Sequence, residues 1–200
     1  MADWDEDSAR LRRNLTRILR EVRDNAIRRA RPAVEDARKW QANAFSGLNV
    51  ENTRYVGRFR GEQGIEQTRV WVGAKQGVSP ARVTRELAAF ETRLRRVVAA
   101  LDARYPSGGD VDIDGIAAVL DLAAWAHCEW VRIHPFANGN GRTARIWANS
   151  ILMRYGLPPV VRLRPRPDEG YGGAAESAMD GDWQPTARVF RRLLMQALGD

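Results

Sequence analysis

Pro135 separates the two most apolar helix-period segments of the chain. Upstream, residues 113–131 carry Ile116, Val119, Leu120, Leu122, Ala123, Trp125, Ala126 and Cys128. Downstream, residues 143–155 carry Ile146, Trp147, Ile151, Leu152 and Tyr155. Proline lacks an amide hydrogen, and its ring clashes with the preceding turn. One helix therefore ends near Ile133 and the next begins near Gly141, with a tight loop between them. The first segment is apolar on most sides, so it reads as a central, buried helix. Gly156, followed by Leu157-Pro158-Pro159, closes the second.

The loop between these helices concentrates the chain's chemistry: His134-Pro-Phe-Ala-Asn-Gly-Asn-Gly-Arg-Thr-Ala-Arg145. Glycines allow backbone N–H groups to approach a ligand closely. The first N–H groups of a helix lack internal partners and sit at its positive end. A loop of this kind followed by Arg142 is a candidate anion site, most readily for phosphate. His134, immediately before it, is placed to serve as a general base. A lone Gly-x-Gly is only a turn. The specificity here comes from the His, Phe, two Asn and two Arg at fixed offsets.

The remaining segments read mostly as helices. Leu11, Leu15, Ile18, Leu19 and Val22 predict an amphipathic helix over 8–30, with Asp5, Glu6 and Asp7 at its start. Pro32 closes it. A second helix is expected over 33–48, with Val34, Ala37, Trp40, Ala44 and Phe45 inward. Ser79-Pro80 opens a third, whose core stripe is Val83, Leu87, Phe90, Leu94, Val97 and Leu101. Residues 165–173 read as a loop, and a final helix is expected over 185–198. His127 reads as a structural histidine, since no further metal ligands stand at matched spacing. One stretch differs: from Gly57 to Gly73, glycines give way to Val70-Trp71-Val72, which predicts a short β-hairpin. An exposed hairpin edge could pair with an extended target segment, and Ile65, Glu66, Gln67 and Thr68 are the expected docking edge.

Composition narrows the setting. Two hundred residues suit one compact domain with a small appendage. No apolar run approaches a membrane span. The acidic start is unlike a secretory signal. A single cysteine, Cys128, excludes an internal disulfide. These features lead to the expectation of a cytoplasmic protein. The net charge is +7, and only Lys39 and Lys75 among the 32 basic residues are not arginine. The arginines are spread along the chain among Asp and Glu, so nucleic acid is not expected as the main partner.

The residues His134, Pro135, Phe136, Gly139, Asn140, Gly141, Arg142 and Arg145 resemble the signature of the Fic (filamentation induced by cAMP) family. The resemblance covers roughly residues 33–198, leaving 1–32 as an N-terminal helical extension. It implies a mainly α fold: a helical bundle around a central helix-loop-helix, with a small β-hairpin flap over the site. It implies an enzyme that moves AMP from ATP to a Ser, Thr or Tyr hydroxyl of a target protein. His134 would take the hydroxyl proton, and Phe136 would anchor the loop in the core. Gly139, Asn140 and Gly141 would cradle the α- and β-phosphates, Arg142 the β-phosphate and Arg145 the γ-phosphate. Tyr171 would stack on adenine, and residues 57–73 would be the flap.

Asn138 departs from the pattern, since the family's familiar form has Asp or Glu there to hold Mg²⁺ between the phosphates. An uncharged amide is a weaker ligand for that ion. The family's inhibitory Ser/Thr-x-x-x-Glu-Gly/Asn helix is also missing: Thr16 with Glu21, and Ser46 with Glu51-Asn52, are both wrongly spaced. Inhibition would then require a separate small protein, as in a toxin–antitoxin pair, and a translocated effector is another setting. The alternatives are another donor group, removal of AMP, or a non-catalytic binding module. Gly141 argues against a phosphate-transferring form, which carries a bulky basic residue there.

Overall fold

The computed structural model describes residues 8–167 and 170–199. Helix α4 (Ile113–Ile133) is the axis of the fold, packed against α3 (Pro80–Arg104), α5 (Asn140–Arg154), α6 (Tyr171–Ala178) and α7 (Gln184–Gly199). Its mostly apolar sequence explains the position: only buried surroundings suit a helix with so few polar faces. Asp112 caps its start by accepting from the Gly115 amide at 2.7 Å. Any side chain at 115 would strike the Tyr105 ring, which a built Cβ would meet at 2.5 Å.

Helix α1 (Ala9–Ile27) begins at Ser8, whose hydroxyl accepts from the Leu11 amide at 3.1 Å. Asp5, Glu6 and Asp7 lie outside the described residues. The buried stripe Leu11, Leu15, Ile18 and Val22 packs on α5 and α2 (Val34–Ala44) and joins the same core as α4. A polar knot fastens this end. Arg154 binds Asp102 and donates to the carbonyl oxygens of Arg29 and Ala30, while Tyr155 donates to Asp102 at 3.0 Å. On α3 the inward residue is Val98, with Val97 only partly covered, because the helix phase favours the former.

Seven α-helices and one two-stranded antiparallel ribbon are present among the described residues. The mainly α class with a small hairpin is as expected; the hairpin's placement is not. Its strands are β1 (Trp71–Val72) and β2 (Lys75–Gln76), with Trp71 opposite Gln76 and Val72 opposite Lys75. Residues 57–70 instead form successive turns. Ile65 is buried, its amide bonds Glu62 O, and Thr68 bonds back to Ile65 O. Ile65, Glu66, Gln67 and Thr68 are therefore not a strand edge. The cause is tertiary: Arg38 pairs with Glu62 at 2.6 Å, and the buried Arg60 side chain takes the Thr68 carbonyl. Gly61 sits at φ +94°, where a Cβ would lie 2.3 Å from Pro80 O. No helix is long and apolar enough to cross a membrane among the described residues.

Candidate active site

The loop between α4 and α5 is held from both ends and from below. His134 caps α4 in the left-handed region, at φ +52°. Phe136 is fully buried against Phe59, with ring centroids 4.9 Å apart, and beside Trp130. Asn140 closes a two-bond ring on the Phe136 backbone: its Oδ1 accepts from the amide and its Nδ2 donates to the carbonyl, both at 2.8 Å. The Asn140 side chain is thus committed to bracing the loop, which leaves its main-chain amide as the group it could offer a ligand. Gly139 caps α5 at φ +92°, with Gln41 and Phe45 in contact range of any added Cβ. The first helical bond of α5 runs from Thr143 N to Gly139 O. The amides of Asn140, Gly141 and Arg142 therefore stand ahead of the ladder, at the positive end of the helix. Trp130 Nε1 donates to Thr143 Oγ1 at 2.8 Å, locking α4 to the first turn of α5.

His134 has a defined ring. Its Nδ1 lies 3.0 Å from the Val131 carbonyl oxygen. A carbonyl only accepts, so Nδ1 carries the proton and Nε2 keeps its lone pair. Burial pushes the imidazole's pKa down to about 4, against the Val131 bond that raises it; the nearby Arg60 charge adds to the lowering. The group is neutral at pH 7 and able to accept a proton.

Two buried arginines follow. Arg142 lies over the Phe45 ring at 4.8 Å, and its Nη2 donates to Asn138 Oδ1 at 3.2 Å. Arg145 Nη2 donates to Leu163 O at 2.9 Å, and Nη1 to Tyr171 Oη at 3.3 Å. Its Nε is buried without a partner. A cation so enclosed favours an anionic neighbour. An anion bound at the α5 N-terminus would therefore find two guanidinium groups on the same helix.

Tyr171 is not where it was expected. It starts α6 rather than lying in a loop, and it is 5% exposed. Its hydroxyl bonds His127 Nε2 at 2.7 Å as well as Arg145. The ring is core, so it cannot stack on a base from this position. His127 is the structural histidine expected: it is fully buried and its pKa is pushed down to about 3 by that burial. Two site residues escaped the sequence reading. Gln41, 1% exposed on α2, donates to Asn138 O at 3.2 Å and to Tyr55 O at 3.0 Å, and accepts from Gly57 N at 2.6 Å. Arg60 donates to His134 O at 2.7 Å. The one hint of Gln41 was a polar residue on the inward stripe of α2.

Residues 33–152 match the family model described as "Fic/DOC family". The chain belongs to the Fic/DOC family. As a Fic/DOC protein it is 46% identical over 74 residues to a protein adenylyltransferase Fic of Nematostella vectensis, a match covering 36% of this chain and 17% of that one. A second such protein, from Aedes aegypti, is 44% identical over 71 residues, or 36% of this chain and 14% of the relative. The matched stretch is thus a small part of each relative. Among solved structures, a Fic domain containing signaling protein of Bacteroides thetaiotaomicron shares the fold at TM-score 0.67 and 19% identity, over 95% of this chain and 70% of that one. Fic-1 of C. elegans does so at 0.68 and 24%, over 98% and 52%. An N-terminal Fic domain of Bartonella quintana with bound ADP does so at 0.57 and 16%, over 94% and 92%.

Proposed function

We propose that this Fic/DOC chain transfers AMP from ATP to a Ser, Thr or Tyr hydroxyl of a target protein. The observation that carries the reading is the His134 ring, neutral and with its proton held on Nδ1 by the Val131 carbonyl, on the loop that leads into the α5 N-terminus. His134 Nε2 takes the hydroxyl proton, and the hydroxyl oxygen attacks the α-phosphorus. The bond from that phosphorus to the bridging oxygen breaks, and pyrophosphate leaves. The amides of Asn140 and Gly141 receive phosphate oxygens, and Arg142 and Arg145 balance the β- and γ-phosphate charge. Fixed positive groups of this kind supply most of the help in such chemistry. The relatives named protein adenylyltransferase Fic and the ADP-bound Fic domain support both the donor and the reaction.

Magnesium fits the protein side poorly. The only candidate ligand in the loop is the neutral Asn138 amide, whose oxygen already accepts from Arg142. No group of three or more His, Cys, Asp and Glu side chains able to hold a metal occurs among the described residues. Mg²⁺ would then arrive with the ATP phosphates as part of the substrate.

The target would dock on the ribbon over the site, whose Trp71 is 57% exposed, rather than on residues 65–68. A separate small inhibitory protein is part of the same proposal, and its co-purification with the native chain would support it. The deciding experiment incubates the protein with ATP labelled on the α-phosphate, alone and in a bacterial lysate, beside His134→Ala. Label on the chain or on a lysate protein, lost in the mutant, is expected. The Asn138–Arg142 contact favours one second reading, a nucleotide-binding module without transfer; tight ATP binding with no labelled product would select it.

A further inference from the structure

We propose that Arg60 is a positioning residue for His134, tying the backbone of the base to the two ends of the flap ribbon. The inference rests on the reading of His134 as the base. It is carried by where the Arg60 hydrogen bonds go. The side chain is fully buried. Its Nε donates to His134 O at 2.7 Å, and one Nη2 bond reaches Ile133 O at 3.0 Å. The other Nη2 bond reaches Val78 O at 2.7 Å, and Nη1 reaches Thr68 O at 3.2 Å. Its own amide donates to Pro135 O at 2.7 Å. Every one of these acceptors is a main-chain carbonyl. Of the four that the side chain meets, two lie at the C-terminal end of α4 and two flank the ribbon 71–76.

Three features make this more than packing. First, no carboxylate among the described residues pairs with the charge, and burial lowers the Arg60 pKa only to about 10, so it stays a cation. A buried charge without a counter-ion is costly, and an uncharged side chain would fill the space more cheaply. The partners that make it tolerable are the carbonyls at the negative end of α4. Second, His134 occupies a left-handed conformation that non-glycine residues avoid, so it persists only when its surroundings over-determine it. Its amide is held by Trp130 O, its ring by Val131 O, and its carbonyl by Arg60. Third, the ribbon's exit touches the base directly. A Cβ built on Gly77 would lie 2.7 Å from the His134 Cβ and 3.2 Å from Arg60 Nη2. Whatever shifts the ribbon when a target strand docks is thus conveyed to the orientation of the His134 imidazole. Lysine could not replace the planar fork, because an ammonium has three donors in a different geometry.

The test reads the ring itself. His134 shares the sequence with only one other histidine, so ¹⁵N spectra of the two imidazoles are assignable with His134→Ala. In the wild-type chain at pH 7, His134 should show one neutral tautomer, protonated on Nδ1. In Arg60→Gln and Arg60→Lys its two nitrogen shifts should move toward each other, the mark of exchange between tautomers, while those of His127 stay put. With ATP labelled on the α-phosphate, kcat should fall by about 10²-fold, the usual penalty for displacing a reacting group by about 1 Å, with KM for ATP within about twofold. A folded Arg60→Gln chain with the wild-type His134 spectrum and kcat would overturn the proposal. If that variant does not fold, Gly77→Ala, which keeps Arg60 and presses a methyl group on His134, is read the same way. Wild-type ring shifts in it would equally overturn the proposal. Should the wild-type chain transfer no AMP, the reading of the reaction fails while the ring spectra still decide the role of Arg60.

Discussion

The His134 ring reaches back one turn to the Val131 carbonyl oxygen, 3.0 Å from its Nδ1, and that bond decides which nitrogen keeps its lone pair. With the pKa at about 4, the base is unprotonated throughout the neutral range. AMP transfer should therefore be flat from about pH 8 down to about pH 5 and fall only near pH 4. A pH profile of initial labelling rates checks this. An acid limb centred near the ordinary histidine value of about 6.5 would mean the ring is solvated in the working enzyme.

His134 and His127 also contribute to the acid stability. In the unfolded chain both titrate near 6.5; in the fold burial lowers His127 to about 3 and His134 to about 4. Between about pH 6.5 and about pH 4.5 the unfolded state binds more protons, so the stability they contribute is present above about 6.5 and is lost as pH falls. The melting temperature should decline across this window, before most carboxylates titrate. His134→Ala should make the decline shallower, which thermal melts at matched ionic strength would show.

Thr143 is a hinge pin of the loop. Its hydroxyl accepts the Trp130 indole proton at 2.8 Å and donates back toward the start of α5, at a site that is 1% exposed. Thr143→Val keeps the shape and leaves the indole N–H buried without a partner. That costs about 1–3 kcal/mol. Chemical denaturation should show the loss, with the slope of the transition unchanged.

The helix-loop-helix was legible because its signals are local. Pro135 forbids continuation, and Gly139 and Gly141 supply backbone that other residues do not. The bracing was not legible. Gln41 and Arg60 are polar residues whose bonds to the loop, to Asn138 O and His134 O, span 97 and 74 positions, and no residue beside either one points to those carbonyls. The flap shows the same limit. Val70-Trp71-Val72 correctly marks one strand, but the buried Arg60 guanidinium folds 57–70 into turns that β-propensity does not anticipate. Tyr171 was misplaced because helix α6 is short and glycine-rich, so its period is weak. What turns the ring inward is a contact with His127, 44 residues earlier.

Asn138→Asp tests the metal. The carboxylate would add a charged ligand beside the phosphates, so half-maximal labelling should need several-fold less Mg²⁺, and the maximal rate should rise. A cost is also expected, because the introduced carboxylate would compete with phosphate for Arg142, which Asn138 meets at 3.2 Å without charge. A titration of labelling against Mg²⁺ at saturating ATP separates the two effects. An unchanged Mg²⁺ requirement would mean that this side chain stays with Arg142 and never turns to the metal.

Tyr171→Phe separates two roles for that ring. If it stacked on adenine, phenylalanine would stack as well, and ATP affinity would hold. Buried as it is, the hydroxyl instead joins His127 Nε2 to Arg145 Nη1. Removing it leaves a buried imidazole nitrogen and a buried guanidinium N–H short of partners, on top of an Arg145 Nε that already has none. The expected loss is about 1–3 kcal/mol of stability. Arg145 should also turn less reproducibly toward the γ-phosphate. The affinity for ATP should therefore fall further than the affinity for ADP, since only ATP carries the group Arg145 is proposed to hold. Calorimetric titration of both nucleotides gives the comparison; equal losses would place Arg145 away from the γ-phosphate.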